Sequence, residues 1–185
     1  GMAGCIGGCD MCRSVCWFFF VRRRPAYELS ACLVGAGGVA RAIGAGVSAL
    51  GARVLMVNRT PERATALSES IGPDVCDVLT MDELAESPPD AIVNATPVGM
   101  AGGPAPDQSP VPGSVLDACP PGTAVFDTVY TPIDTPMLLA ARERGLPSID
   151  GVDMFVRQAA LQFEGWTGKA APTGLFERII SEHLA

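Results

Sequence analysis

The sequence predicts an α/β fold, a doubly wound parallel sheet of about six strands with helices on both faces. Three observations predict it. Short apolar segments alternate with helical segments from residue 29 onward. Those short segments are apolar throughout, which is typical of parallel strands buried on both faces. A glycine-rich turn joins the first of them to the first helix. Right-handed crossovers then favour the strand order 3-2-1-4-5-6.

The individual elements follow from local composition and from residues that start or stop helices. Gly51 stands where the first helix should end, and Thr60 before Pro61 marks the start of the second. Thr80 is the expected cap of a short third helix. Strands are predicted at residues 31–35, 53–59, 75–79, 90–95, 123–128 and 147–149. Helices are predicted at residues 38–50, 61–70, 81–86, 135–145, 152–166 and 175–184, with a short one closing at 117–118.

The turn after the first strand has the Gly-x-Gly-x-x-Ala pattern that seats the pyrophosphate of a dinucleotide. Gly35 permits the tight turn, Gly37 lets the backbone approach the phosphates, and Ala40 allows the helix to pack closely on the strand. Free amides at the start of the helix point at the phosphates, and the helix dipole adds to their attraction. The predicted contacts are Gly35, Ala36, Gly37, Gly38, Val39 and Ala40. The pattern predicts a Rossmann-like nucleotide-binding domain.

The end of the second strand predicts which dinucleotide is bound. An NAD-binding protein usually places an acidic residue there, to hold the ribose 2′-hydroxyl. This sequence instead has Asn58, Arg59, Thr60 and Arg63. Two guanidiniums beside a hydroxyl and an amide suit a 2′-phosphate, whose oxygens accept forked hydrogen bonds. We therefore predict NADP rather than NAD as the cofactor.

Size and charge exclude several classes of protein. The 185 residues fit one domain of ordinary size, and the formal net charge of −7 argues against a nucleic-acid partner. No apolar run reaches the length of about 18 residues that a transmembrane helix needs, and no secretory signal is present. We expect no membrane partner and a cytoplasmic location. Residues 29–185 are predicted to form the NADP-binding domain, and residues 1–28 a disordered or atypical leader.

Four of the seven cysteines cluster in that leader: Cys5, Cys9, Cys12 and Cys16. Thiolates at these spacings are suited to zinc or to an iron–sulfur cluster, so a metal site is one interpretation. The other is a leader that holds no metal, and we favour it. The remaining three cysteines fall in or beside apolar segments and are interpreted as small buried hydrophobes with reduced thiols.

Five motifs follow one another in an order that resembles the C-terminal half of shikimate dehydrogenase. They are GAGGVARA at residues 35–42, NRT at 58–60, VNAT at 93–96, DTVYTP at 127–132, and DGVDM at 150–154 with QAA at 158–160. The resemblance covers residues 29–185. It is closest to the branch that includes the quinate/shikimate enzymes and the bifunctional dehydratase–dehydrogenases.

The resemblance implies further site residues. In that family the glycine turn and the Asn-Arg-Thr segment bind NADP, which agrees with the reasoning above. Further cofactor contacts implied by the family are Asn94, Ala95, Thr96, Val129, Gly151 and Met154. For Met154, core packing is an equally good interpretation. Tyr130 and Gln158 match positions that touch the hydroxyls of a shikimate- or quinate-type substrate.

The chain departs from the family in one respect that bears on catalysis. Family members have a separate N-terminal substrate-binding domain, which supplies a Lys/Asp pair for proton transfer while NADP moves the hydride. Only residues 1–28 precede the domain here, and the single lysine, Lys169, lies near the other end. We therefore expect no catalytic residue of that pair in this chain. The expected function is 3-dehydroshikimate/shikimate interconversion by a fragment, or by half of a split enzyme whose partner is the N-terminal domain. The alternative is a non-catalytic NADP-binding or regulatory module.

Overall fold

The computed structural model describes residues 26–184. A short 3-10 helix at Ala26–Glu28 leads into the first strand. The strands are β1 Ser30–Val34, β2 Arg53–Val57, β3 Cys76–Val78, β4 Ala91–Asn94, β5 Ala124–Asp127 and β6 Ser148–Ile149. The helices are α1 Gly38–Ala49, α2 Pro61–Ile71, α3 Met81–Glu86, α4 Gly113–Ala118, α5 Pro136–Glu143, α6 Gly151–Thr167 and α7 Thr173–Leu184. Strands and helices alternate up to α6, as predicted.

The six strands form one sheet in the order β3-β2-β1-β4-β5-β6, and every pair is parallel. The predicted fold class and strand order are confirmed. Val34 at the end of β1 pairs with Val57 on one side and with Asn94 on the other. Asn94 in turn lies beside Asp127 at the end of β5. The carboxyl ends of these four strands therefore meet at one edge, where doubly wound sheets bind their ligands.

Helices cover both faces of the sheet because successive strand residues point to opposite sides. Leu33 packs with Ile43 and Val47 of α1 in one buried core, which also includes residues of α2 and Met154 of α6. Cys32, the preceding residue, belongs to a second core with residues of α3, α4 and α5. Burial raises the pKa of the Cys32 thiol to about 12, so this cysteine is a protonated packing residue, as expected.

Several predicted bounds shift by a few residues. Strand β1 ends at Val34 because Gly35 turns the chain with φ +114°, in a region that favours glycine. Strand β2 ends at Val57 rather than at residue 59, because the Asn58 side chain bends back to the Thr60 carbonyl, 2.8 Å away. Strand β6 has two residues, and α7 begins at Thr173 rather than at residue 175.

The helix caps follow the sequence in part. Thr80 forms the predicted cap as a reciprocal capping box with Glu83. Thr60 is the N-cap of α2 and Pro61 lies in its first turn, as predicted, although the Thr60 hydroxyl accepts no capping hydrogen bond. Its ψ of 99° differs from the 168° of Thr80, and the hydroxyl is not turned toward the first amides of the helix.

The predicted leader lies almost wholly outside the described residues, and all four of its cysteines do. Across residues 26–184, no group of three or more His, Cys, Asp or Glu side chains is arranged to hold a metal ion. Over the same residues, no helix has the length and apolarity to span a bilayer. A cytoplasmic location stays a prediction.

Candidate functional site

A cleft of about 990 Å³ opens at the carboxyl edge of the sheet. It lies over the ends of β1, β2, β3 and β4, and one wall is the turn between β1 and α1. The strand order reverses between β1 and β4, and such a switch point is where doubly wound sheets place a ligand. Eight predicted cofactor contacts line the cleft: Gly35, Ala36, Gly37, Asn58, Arg59, Arg63, Ala95 and Thr96.

The glycine turn is held tightly against the neighbouring strands. The Gly35 amide donates to the Val57 carbonyl at 2.8 Å. A Cβ at Gly35 would lie 2.8 Å from Cγ2 of Thr96, too close for any larger residue. At Gly37 and Gly38 a Cβ would meet nothing within 4 Å, so the turn is open toward solvent there. Ala40 is fully buried behind the turn, as its predicted packing role requires. Gly38, Val39 and Ala40 belong to α1 and do not themselves line the cleft.

Two arginines stand on the wall formed by the end of β2 and the start of α2. The side chains of Arg59 and Arg63 are exposed and line the cleft. Neither forms an ion pair or a side-chain hydrogen bond with any residue between 26 and 184. Thr60 lies between them in sequence but not on the cleft wall. The two guanidiniums are therefore available to an anionic group of a ligand.

Asn94 holds the loop after β4 rather than facing the cleft. Its side chain is fully buried. The amide oxygen accepts from the Thr96 backbone amide at 2.9 Å and from its hydroxyl at 2.7 Å. The amide nitrogen donates to the Val98 carbonyl at 3.0 Å and to Oδ1 of Asp127 at 2.9 Å. Every polar group of this side chain is engaged, so Asn94 presents its neighbours Ala95 and Thr96 to the cleft.

Asp127 is a buried carboxyl at the end of β5 that we did not predict as a site residue. Oδ1 also accepts from the Val129 amide at 2.9 Å, and Oδ2 accepts from the Thr135 hydroxyl at 2.7 Å. Burial raises the pKa of Asp127, while the hydrogen bonds from Thr135, Val129 and Asn94 lower it in part. The sequence offered one signal for this role: Asp127 is an acidic residue at the end of an apolar strand, and Asn94 ends the strand before it.

The other residues implied by the resemblance lie outside the cleft. Val129 is buried, and a Cβ at Gly151 would come within 2.5 Å of its carbonyl oxygen, so the loop after β5 touches the start of α6. Met154 is 7% exposed and belongs to the core on the α1 side of the sheet, which favours its packing interpretation. Tyr130 is 46% exposed and its ring lies 5.6 Å from that of Phe155. Gln158 is half-buried on α6.

Part of the cleft wall comes from residues that were not predicted to contact a ligand. The start of α3 contributes Thr80, Met81 and Glu83. The loop after β4 contributes Pro97, Val98, Pro104, Ala105, Gln108, Ser109 and Pro110. A stretch rich in proline and glycine marks a loop but not the direction in which it folds. These contacts are decided by tertiary structure.

Two family models match this chain. One, described as "Shikimate / quinate 5-dehydrogenase", matches residues 23–98, and the other, "Shikimate 5'-dehydrogenase C-terminal domain", matches residues 151–180. The chain belongs to the shikimate dehydrogenase family. It is 45% identical over 145 residues to the shikimate dehydrogenase (NADP(+)) of Natronomonas pharaonis. That match covers 77% of the chain and 52% of the relative, so the chain spans about half the relative's length.

Other relatives extend the comparison. The bifunctional 3-dehydroquinate dehydratase/shikimate dehydrogenase of Arabidopsis thaliana is 37% identical over 86% of the chain and 26% of its own length. The Thermus thermophilus shikimate 5-dehydrogenase, solved with NADP(H) and shikimate, superposes with a TM-score of 0.77 and 30% identity, covering 94% of this chain and 62% of that one. A Corynebacterium glutamicum quinate dehydrogenase solved with NAD gives 0.75 and 25% identity, covering 91% and 59%.

Proposed function

We propose that the chain is the NADP-binding half of a shikimate-dehydrogenase-type oxidoreductase, which interconverts 3-dehydroshikimate and shikimate. One observation carries the proposal. Arg59 and Arg63, without ion-pair partners among the described residues, share a cleft with the glycine turn at the switch point of the sheet. The relatives' names and the NADP(H) complex of the Thermus thermophilus enzyme support the same cofactor.

The residues of the cleft fit NADP. Helix α1 has 12 residues, and its first amides have no partner within the helix, so Gly37 and Gly38 offer donors to a diphosphate. The open space at both glycines leaves room for that group. Arg59 and Arg63 would hold the 2′-phosphate through charge-assisted hydrogen bonds. Bound NADP supplies or accepts the hydride.

A shikimate- or quinate-type substrate is proposed to contact Tyr130 and Gln158, with Gly151 near the nicotinamide. The family resemblance is the basis of these assignments. The close approach of Val129 to Gly151 supports them, because it keeps the loop that carries Tyr130 beside the first turn of α6. The exposed face of Tyr130 is available to a ligand.

The reaction also needs a proton donor near the substrate oxygen. Within residues 26–184, the ionisable side chains on the cleft wall are Arg59, Arg63 and Glu83. Two hydrogen bonds from Thr80 lower the pKa of Glu83, so this carboxyl is ionised at neutral pH and is a poor acid. We propose that the donor belongs to a separate N-terminal substrate-binding domain, which acts as the partner of this chain.

The same observation keeps a second function open, a non-catalytic NADP-binding or regulatory module. The two differ in turnover. NADPH formation from shikimate and NADP⁺ by this chain alone would exclude the module. Activity that appears only when the N-terminal domain of a relative is added would support the oxidoreductase. NADP⁺ binding without turnover, both by the chain alone and with the N-terminal domain added, would favour the module.

Cofactor choice is tested by titrating the protein with NADP⁺ and NAD⁺ in parallel. We expect tighter binding of NADP⁺, and Arg59→Ala should weaken it by about tenfold or more and erase the preference. Arg53→Ala is the matched control, because Arg53 lies at the opposite end of β2, in an exposed pair with Asp77. It should leave both affinities unchanged. Equal affinity for the two nucleotides in the unmutated protein would refute the assignment.

A further inference from the structure

Asp127 is a carboxyl that the proposed cofactor and substrate contacts do not use, yet it is fully buried. Burying a carboxyl in an apolar strand is costly unless hydrogen bonds compensate. Here three donors compensate, from Asn94, Val129 and Thr135. These donors come from three different segments: β4, the loop after β5, and the N-cap of α5. Asp127 therefore ties the end of β4 to the loop after β5 and to the start of α5.

The contact with Asn94 continues to the cleft wall. Asn94 in turn holds Thr96, because the Asn94 amide oxygen accepts from the Thr96 backbone amide at 2.9 Å and from the Thr96 hydroxyl at 2.7 Å. The Thr96 hydroxyl in turn accepts from the Val98 amide at 3.2 Å. Thr96 and Val98 both line the cleft. An unbroken series of hydrogen bonds thus runs from the buried carboxyl to the surface that a ligand would touch.

The strand order separates this surface from the arginines. Arg59 follows β2, on one side of β1, and Thr96 follows β4, on the other side. A dinucleotide lying across the glycine turn, with its adenosine phosphate on the arginines, has its other half over β4 and β5. The Asp127 contacts therefore lie on the side of that second half, away from the arginines.

We propose that Asp127 is a positioning residue for the nicotinamide half of the cofactor: through Asn94 it fixes Thr96 and the loop after β4 before the cofactor binds. This inference rests on the proposed function for the identity of the ligand. The fixed loop itself is a property of the free protein. The two parts are tested separately.

The first experiment needs no ligand. Amide hydrogen exchange of the free protein is compared for wild type and Asp127→Ala. The Thr96 and Val129 amides should exchange at least about tenfold faster in the variant. The Val129 amide loses its acceptor, and the Thr96 amide keeps its acceptor, Asn94, but Asn94 is no longer held by Asp127. The Val54 amide, bonded to the Val75 carbonyl on the β3 side of the sheet, is the internal control and should not change. Equal protection of Thr96 in both proteins would overturn the inference, whatever the protein binds.

The second experiment separates the two halves of the ligand. Wild type and Asp127→Ala are titrated with NADP⁺ and with 2′,5′-ADP, which carries the adenosine and the 2′-phosphate but no nicotinamide. We expect the dissociation constant for NADP⁺ to rise about tenfold and that for 2′,5′-ADP to stay within about twofold. Equal loss of both would show a general structural defect and overturn the inference. Failure of wild type to bind either compound would refute the proposed function instead.

Three further variants keep the test decisive. Thr123→Val removes a buried hydrogen bond to Pro89 at the opposite end of β5, and it should leave both dissociation constants unchanged. Asp127→Asn keeps an oxygen for Asn94 and Val129 and should restore NADP⁺ binding relative to Asp127→Ala. If Asp127→Ala does not fold, Asn94→Ala takes its place, because it breaks the same series one step nearer the cleft. It should show the same selective loss.

Discussion

Gly35 and Thr96 approach each other so closely that a Cβ at residue 35 would lie 2.8 Å from Cγ2 of Thr96 and 2.9 Å from the Ala95 carbonyl oxygen. Gly35 also has a φ of +114°, which side chains rarely adopt. The carbonyl is backbone and cannot rotate away. This contact joins the turn after β1 to the loop after β4. The two walls of the cleft can approach this closely because residue 35 has no side chain.

Gly35→Ala should therefore destabilise the fold by about 2–3 kcal/mol, because the strained φ and the contact with Ala95 act together. Denaturant unfolding measures this change. Gly37→Ala is the matched comparison, since a Cβ there meets nothing within 4 Å. It should leave the free energy of unfolding nearly unchanged and weaken NADP⁺ binding, because its methyl group obstructs the diphosphate. Similar stability of the two variants would contradict the steric argument.

The buried carboxyl of Asp127 should make stability depend on pH. Burial raises the pKa of Asp127 above its ordinary value, so the folded protein holds this proton more tightly than the unfolded chain. Its contribution is complete below the unfolded pKa and is lost as pH rises through the raised folded pKa. The free energy of unfolding of the wild type should therefore fall as pH rises from below the unfolded pKa of Asp127 to above its folded pKa. Asp127→Asn should remove it, and Thr123→Val should retain it. An unchanged slope in Asp127→Asn would contradict the assignment.

Met154 tests whether its role is packing or cofactor contact. It is 7% exposed and lies in the core with residues of β1 and α1. Met154→Ala should cost about 2–5 kcal/mol of stability, as for other large-to-small core substitutions. NADP⁺ affinity at a temperature where the variant is folded should change little. Met100→Ala is the control, since Met100 is 38% exposed and should tolerate the change. Loss of affinity with unchanged stability would support direct cofactor contact instead.

Tyr130 tests the substrate assignment. Tyr130→Phe keeps the ring beside Phe155 and removes only the hydroxyl. The melting temperature and the NADP⁺ affinity should stay as in wild type. In the mixture with the N-terminal domain of a relative, the KM for shikimate should rise about tenfold, because one hydrogen bond to the substrate is lost. Unchanged kinetics in an active mixture would remove Tyr130 from the substrate site.

The glycine turn and the arginines were predictable because their signals are local. Gly35, Gly37 and Ala40 lie within one turn of chain, between an apolar strand and a helix. Arg59 and Arg63 lie within six residues of the end of the next strand, so their position at the edge of the sheet follows from the position of that strand. The same locality explains why the positions of strands and helices were predicted, with errors confined to element ends. The strand order was predictable for another reason, because crossovers between parallel strands are right-handed. Thr60 shows the limit, since its cap depends on a ψ angle that residue type does not determine.

The sequence by itself determined the doubly wound sheet, the turn that faces the cleft and the two guanidiniums beside it. Only the tertiary structure decided that Asn94 points inward to Asp127, 33 residues away, and that the loop after β4 lines the cleft. It also left Tyr130 and Gln158 outside the cleft. The physical reason is that residue type and spacing fix backbone conformation over a few residues. Burial and hydrogen-bond partners are set by segments that meet only after the sheet has formed.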